Sequence, residues 1–176
     1  MNCFRRFSLV ATIVVGLAPE IVRAQDKPND AVIPATRGEG WMRRHESFNE
    51  RAKQGDVDLL FIGDSITQGW ENEPPRGGKE VWAEFYGKRN SMNLDISGDR
   101  TQHVLWRLEN GNLEGIKPKL AILMIGTNNA AANSSEQIAA GIKAIVEKIR
   151  VKLPSTKVLV LAIFPTGSNP TSSCCN

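Results

Sequence analysis

The sequence predicts an α/β protein built on a parallel β-sheet. Three short runs are almost entirely apolar, which is typical of strands buried on both faces, and a weaker strand signal follows the first run. Helical periodicity and helix-capping residues occupy the segments between them. Strands that alternate with amphipathic helices form parallel sheets covered on both faces. The predicted strands cover residues 57–63, 91–97, 119–126 and 157–164.

The helices are predicted in chain order from local composition. A charged helix is expected from about Trp41 to Gln54, before the first strand. Residues 71–78 are rich in proline and glycine and predict a loop. A helix is expected over residues 79–87, between that loop and the second strand.

Two capping signals predict where the later helices begin. Asp99 followed by Gln102 resembles a capping box that opens a third helix, and Gly111 is the predicted stop of that helix. Ser134 and Gln137 form a second capping box, which opens a long helix. The isoleucines of the long helix recur at intervals of 4, 3 and 4 residues and so share one face; they are Ile138, Ile142, Ile145 and Ile149.

The first 24 residues have the layout of a secretory signal peptide. Arg5 and Arg6 precede an uncharged apolar stretch, and Val22 and Ala24 occupy the −3 and −1 positions of a cleavage site. The apolar stretch, residues 7–18, is too short to span a bilayer. We therefore expect a secreted or periplasmic protein with no membrane span after cleavage. An uncleaved N-terminal anchor is the alternative.

The rest of the chain divides into three parts. Residues 25–40 are polar and contain prolines, which predicts a flexible lead-in. Residues 41–170 predict one domain, and residues 171–176 form an atypical tail without periodicity. Without the signal peptide, Lys plus Arg falls from 22 to 19 and Asp plus Glu from 19 to 18. The net charge of about +1, with no basic stripe, predicts no nucleic-acid binding.

The sequence predicts no cofactor and no metal site. Cys3 lies in the signal peptide, and Cys174 and Cys175 are adjacent, so the cysteines form no disulfide framework. His45 and His103 are the two histidines of the sequence, and no Cys or His spacing of the zinc kind is present. The Walker A and G-x-G-x-x-G fingerprints are also missing, which disfavours a flavodoxin-like nucleotide binder.

Three of the predicted strands end in turns that carry polar residues. In a parallel sheet the carboxyl ends of the strands meet at one edge, and ligands bind there. We therefore expect the three turns to lie together. They are Gly63-Asp64-Ser65, Ser97-Gly98-Asp99 and Gly126-Thr127-Asn128-Asn129.

The residue types in these turns suit acyl transfer. A serine such as Ser65 becomes a nucleophile when a base takes its proton and donors stabilise the charge on the attacked oxygen. Its own N–H, the unobstructed N–H of Gly98 and the side-chain amide of Asn128 are candidate donors. Asp64 is expected to bond the backbone of its own turn. The same residue types are also ordinary in turns, so each motif alone is a weak signal.

Three stretches together resemble the GDSL/SGNH hydrolase family, and within it the catalytic subunits of platelet-activating-factor acetylhydrolase and their bacterial relatives. They are "FIGDSITQGW", "ISGDRTQHVLWRLENGNLEGIKPKLAILMIGTNN" and "AAGIKAIVEKI". The resemblance implies a flavodoxin-like three-layer α/β/α sandwich that hydrolyses small acyl esters, acetyl esters especially, of a carbohydrate or lipid alcohol. It places Ser65 as nucleophile and Gly98 and Asn128 as oxyanion donors. Asp95 and Ser97 stand where close relatives have glycines.

The second half of the family's mechanism is missing from this sequence. The family's base comes from a late Asp-x-x-His segment, which the chain lacks. His103 is expected to be a helix residue near the sheet edge, and His45 a solvated surface residue. We therefore expect a chain truncated or frameshifted shortly after Pro170, and weak or absent activity. A non-catalytic domain that binds a small ligand at the same edge is the alternative, and the sequence gives no oligomeric state.

Overall fold

All four predicted strands are present and pair in parallel in one sheet. They are β1 (Leu59–Gly63), β2 (Ser91–Asn93), β3 (Leu120–Met124) and β4 (Lys157–Val160), in the spatial order β2-β1-β3-β4. The structure, a computed structural model, describes residues 28–164. The predicted signal peptide and C-terminal tail lie outside the described residues.

The described residues contain five α-helices, all on connections or before the first strand. They are α1 (Glu39–Lys53), α2 (Ser65–Gln68), α3 (Lys79–Phe85), α4 (Thr101–Glu109) and α5 (Ser135–Lys152). Helices thus alternate with parallel strands, which confirms the predicted α/β class. Within residues 28–164, no helix has the length and apolar character needed to cross a membrane.

The main core lies between one face of the sheet and helices α1, α4 and α5. Leu60, Ile62 and Leu123 are fully buried there, against Ile145 and Ile149 of α5. Burying a side chain of this size contributes about 1.5–3 kcal/mol. The predicted apolar face of α5 is confirmed. Ile142 is half-buried, and the other three isoleucines are buried: Ile138, Ile145 and Ile149.

Aromatic side chains hold helices to the sheet and to one another. On the other face of the sheet, Phe61 contacts Trp82, with 4.9 Å between ring centroids, and Tyr86, with 5.1 Å. Between α1 and α4, the centroids of Trp41 and Trp106 lie 5.4 Å apart. Trp82 and Trp106 are therefore packing residues.

Two strand predictions need correction. β2 ends at Asn93, whereas the pattern predicted a strand to residue 97; the following residues stay close to β1, since Leu94 N–H donates to Phe61 O at 2.9 Å. β4 was predicted to be buried, yet Leu159 and Val160 are 47% and 44% exposed. The reason is position: among the described residues β4 pairs with β3 alone, at the edge of the sheet.

The capping box predicted at Asp99 is also wrong. The N-cap of α4 is Arg100, whose N–H donates to His103 Nδ1 at 3.0 Å. Asp99 is fully buried, and its carboxylate instead binds the side chains of Trp41 in α1 and Arg107 in α4. The predicted stop at Gly111 fits the structure, because Gly111 follows the C-cap of α4 with φ +110°.

The lead-in was predicted to be flexible, but residues 28–38 pack against the domain. A short 3₁₀ helix, Asp30–Val32, buries Ala31 completely, and Ala31 O accepts a hydrogen bond from Thr101 Oγ at 2.8 Å. Ala35 N–H donates to Gln102 O at 3.2 Å. These contacts tie the lead-in to the start of α4, near the predicted site.

Candidate active site

Ser65 lies where β1 turns into α2. It is the first residue of α2 and is exposed. The preceding residue, Asp64, caps the helix, because its Oδ1 accepts a hydrogen bond from Ile66 N–H at 3.0 Å. The prediction that Asp64 bonds its own turn is thus confirmed. Burial raises the pKa of Asp64, and the charge of Asp99 adds to the effect.

Gly63 allows this turn to pass close to neighbouring segments. A Cβ at this position would lie 2.5 Å from Met124 O, 2.7 Å from Thr67 Oγ and 3.0 Å from Asp95 Oδ1. Backbone and buried side chains cannot move away from such a contact without repacking. A glycine before Asp64 and Ser65 therefore brings β1, β3 and the Asp95 segment together beneath the nucleophile candidate.

The Gly98 turn is held from both sides by an arginine of the lead-in. Arg37 NH1 donates to Ser97 O at 2.8 Å and to Asp99 Oδ1 at 3.1 Å. Gly98 itself has φ +76°, a conformation that favours glycine. Arg37 thus contacts the residues on either side of the candidate oxyanion donor. No sequence signal marked Arg37.

Asp99 anchors the same turn to the interior. Its carboxylate accepts hydrogen bonds from Trp41 Nε1 at 2.7 Å and from Arg107 Nε at 2.9 Å. Arg107 is fully buried; burial lowers its pKa, and Asp99 raises it. A buried charge needs such partners, because an unpaired one is strongly destabilising. Arg107 could have been found in the sequence, since it lies three residues after Val104 on the apolar side of a predicted helix.

Asn128 joins the third turn to the other two. Its Nδ2 donates to Asp99 O at 2.8 Å and to Asp64 Oδ2 at 3.3 Å. The next residue, Asn129, is fully buried and its Oδ1 accepts from Thr101 N–H at 2.9 Å. The prediction that the three turns lie at one edge of the sheet is confirmed by these contacts.

The edge offers donors for a negatively charged oxygen. Within residues 28–164, the backbone N–H groups of Ser65 and Gly98 make no hydrogen bond. Asn128 is fixed by its short bond to Asp99 O, and its longer bond to Asp64 is the weaker of the two. An exposed hydroxyl beside such donors is an arrangement suited to acyl transfer.

Comparison with known proteins identifies the family. The family model described as GDSL-like Lipase/Acylhydrolase matches residues 61–175. The chain belongs to this family. It is 39% identical over 152 residues to the human platelet-activating factor acetylhydrolase IB subunit alpha2, covering 84% of this chain and 63% of that protein. Against the human subunit alpha1, the identity is 41% over 135 residues, covering 76% and 55%.

A solved structure supports the fold. A Bacteroides fragilis protein described as an acylhydrolase superposes with a TM-score of 0.57 at 21% identity, covering 73% of this chain and 60% of that one. At this identity the likeness concerns the fold alone. The chain spans less than two thirds of the length of the curated relatives it matches first.

The histidines of this GDSL-family chain do not complete a triad with Ser65. His103 Nδ1 accepts the N–H of Arg100, so the neutral ring carries its proton on Nε2 and lacks a free acceptor nitrogen. Burial, more than the neighbouring arginines, lowers its pKa, while Asp99 raises it. Within the described residues, no hydrogen bond joins an imidazole to Ser65.

His45 was interpreted as a solvated surface residue, and this is wrong. It is 3% exposed and lies between Trp41 and Trp106, with ring centroids at 5.9 and 4.9 Å. Its Nδ1 lies 3.1 Å from Asn112 Nδ2. Burial and Arg107 lower its pKa, which favours the neutral ring. The charged residues around it in the sequence hid this position, because His45 occupies the inner side of α1.

A shallow pocket adjoins α2. It has a volume of about 350 Å³ and is lined by Ile66, Trp70, Arg76 and nearby glycines and proline. A larger pocket of about 610 Å³ lies at the opposite edge of the sheet, between residues 113–118 and 152–156. The smaller pocket is the one beside the Ser65 turn, since Ile66 lines it. Among the described residues, no cluster of three or more His, Cys, Asp or Glu could hold a metal ion.

Proposed function

We propose that this chain is an acylhydrolase that cleaves small acyl esters with Ser65 as nucleophile. One observation carries the proposal. The N–H groups of Ser65 and Gly98 have no partner in the described residues, at the edge where Asn128 contacts both neighbouring turns. Family membership supports ester hydrolysis in general. The acetylhydrolase names of the relatives favour an acetyl ester.

In the proposed reaction, Ser65 Oγ attacks the carbonyl carbon of the ester. The hydroxyl proton passes to water, and the electrons of the C=O bond move to its oxygen. The N–H groups of Ser65 and Gly98 stabilise that oxyanion, together with the Asn128 N–H that gives up its longer bond to Asp64. Each such donor is typically worth about 2.7–4 kcal/mol in the transition state. The alcohol then leaves, and water releases the acyl group from Ser65.

The described residues supply no imidazole for the proton transfer, so we propose slow turnover. An oxyanion hole with substrate binding still accelerates a reaction by about 10³–10⁴ over water when triad members are removed. The proposed substrate is a carbohydrate or lipid ester outside the cytoplasm, since the N-terminal pattern predicts export.

A fluorophosphonate probe tests the nucleophile directly. The full chain, Ser65→Ala and the control Ser97→Ala are incubated with the probe, and the labelled peptide is located by mass spectrometry. Ser97 is a matched control because it is an exposed serine in the neighbouring turn. We expect labelling at Ser65 in the wild type and in Ser97→Ala, and none in Ser65→Ala.

The outcomes separate the candidate functions. Absence of labelling in folded wild-type protein would refute an activated Ser65 and favour a domain that binds without catalysis. Hydrolysis of p-nitrophenyl acetate is measured in parallel against the human alpha2 subunit. A rate within about tenfold of that relative, lost in Ser65→Ala, would refute the proposed slow turnover and show that a base is present.

A further inference from the structure

Arg37 reaches the candidate site from the lead-in, 60 residues away in sequence from the turn it contacts. NH1 is occupied by Ser97 O and Asp99 Oδ1, whereas NH2 makes no hydrogen bond within the described residues. A Cβ on Gly98 would lie 3.0 Å from this NH2. The side chain is 34% exposed. A fixed guanidinium with a free edge therefore lies beside the candidate oxyanion donor.

The charges around this turn leave a positive excess. Asp99 is shared by two guanidinium groups, those of Arg37 and Arg107, with N···O distances of 3.1 and 2.9 Å. Arg107 is fully buried and cannot meet a solute. Arg100, half-buried at the N-cap of α4, adds a further positive charge, and Asp64 adds one carboxylate. Of the two arginines that a solute can reach, Arg37 and Arg100, Arg37 is the one whose guanidinium lies against Gly98.

We propose that Arg37 binds an anionic group of the ester, so that the substrates of this site are acyl esters that carry a carboxylate or phosphate. NH1 fixes the guanidinium, and NH2 donates to the anion in a charge-assisted hydrogen bond. Arg37 is a specificity-determining residue in this assignment, and the ester part rests on the proposed function. It also explains why a segment outside the sheet packs against the Gly98 turn.

Binding to the inactive variant tests the inference without requiring turnover. The full chain with Ser65→Ala is titrated with monomethyl succinate, which carries one ester and one carboxylate. Dimethyl succinate is the uncharged match, and inorganic phosphate shows whether the site takes any oxyanion or a carboxylate specifically. The amide resonance of Gly98 in ¹⁵N-resolved NMR spectra reports binding next to Arg37.

We expect monomethyl succinate to bind at least tenfold more tightly than dimethyl succinate, and at least tenfold more weakly after Arg37→Gln. The affinity of Arg37→Lys for monomethyl succinate should lie between those of the wild type and Arg37→Gln, because lysine keeps the charge and loses the fixed geometry. Arg150→Gln removes the same charge at the exposed end of α5, far from the strand ends, and should leave binding unchanged.

Equal binding of the two succinates would overturn the proposal, even where Arg37→Gln fails to fold. Equal affinities of the wild-type and Arg37→Gln proteins, or no saturable shift with either anion, would also overturn it. These results do not depend on an activated serine. Failure of the fluorophosphonate labelling with Arg37-dependent binding intact would therefore remove the esterase function and leave an anion-binding site.

Discussion

Asp95 carries a prediction about stability and pH. It is fully buried next to the turn that carries Ser65, and neither carboxyl oxygen has a hydrogen-bond partner in the described residues. Burial raises its pKa well above the ordinary 3.8; Arg107 opposes this, and Asp64 and Glu71 add to it. We expect Asp95→Asn, which keeps the shape and cannot ionise, to be more stable than the wild type at neutral pH.

The sign and size follow from proton binding. In the folded chain Asp95 keeps its proton at a pH where the unfolded chain has lost it, so the unfolded state binds fewer protons. The stability of the wild type therefore falls as the pH rises from about 4 to the raised pKa. One proton corresponds to about 1.4 kcal/mol per pH unit. Asp95→Asn should therefore gain stability relative to the wild type as the pH rises above about 4, by at most this amount per pH unit.

Urea unfolding followed by circular dichroism at pH 5 and pH 6 measures the difference. The contributions of other titrating groups cancel in the difference between the wild type and Asp95→Asn, because both proteins contain those groups. Asp58→Asn is the control: the side chain of Asp58 is 40% exposed and paired with Lys119 at 2.8 Å, and its pKa is lowered by Lys119 and Asn90. The difference in unfolding free energy between Asp58→Asn and the wild type should be the same at pH 5 and at pH 6. If the difference in unfolding free energy between the wild type and Asp95→Asn stays constant with pH, the buried carboxyl of Asp95 does not keep its proton, and the reasoning is refuted.

Two further predictions concern the anchor of the Gly98 turn and the N-terminus. Trp41→Phe removes the 2.7 Å hydrogen bond to Asp99 and should cost about 1.5–3 kcal/mol in urea unfolding. Trp82→Phe, which loses no described hydrogen bond, is its control, and equal losses would contradict the role of Asp99. Expression in a bacterial host should yield periplasmic protein beginning at Gln25, and N-terminal sequencing that finds Met1 would contradict signal cleavage.

The features that the sequence predicted correctly depend on short-range signals. The capping box at the start of α5 is present: Ser134 Oγ accepts from Gln137 N–H at 3.3 Å, and Gln137 Oε1 accepts from Ser134 N–H at 3.1 Å. Both partners lie within one helical turn, so the pattern contains the whole interaction. The turns after β1 and β3 were predicted for the same reason, because a strand end and its polar residues are adjacent in sequence.

The features that the sequence did not predict depend on contacts between distant segments. Asp99 looked like a helix cap, since Ser, Thr, Asp and Asn favour that position. Its carboxylate instead binds Trp41, 58 residues away, and Arg37, 62 residues away. His45 was misjudged in the same way, because its burial depends on Trp106 and Asn112. The requirement of a buried charge for partners outweighs the local preference of an aspartate for the N-cap position.

Asp95 shows how a single departure from relatives acquires meaning in the fold. The resemblance to the family implied a glycine at this position. In the structure Arg37 and Asp99 hold the Gly98 turn, and the Asp95 carboxylate lies inward, beside the space that Gly63 leaves open. We therefore expect Asp95 to affect the free energy of unfolding and Arg37 to affect what binds at the edge. Measurements on the two residues should separate stability from specificity.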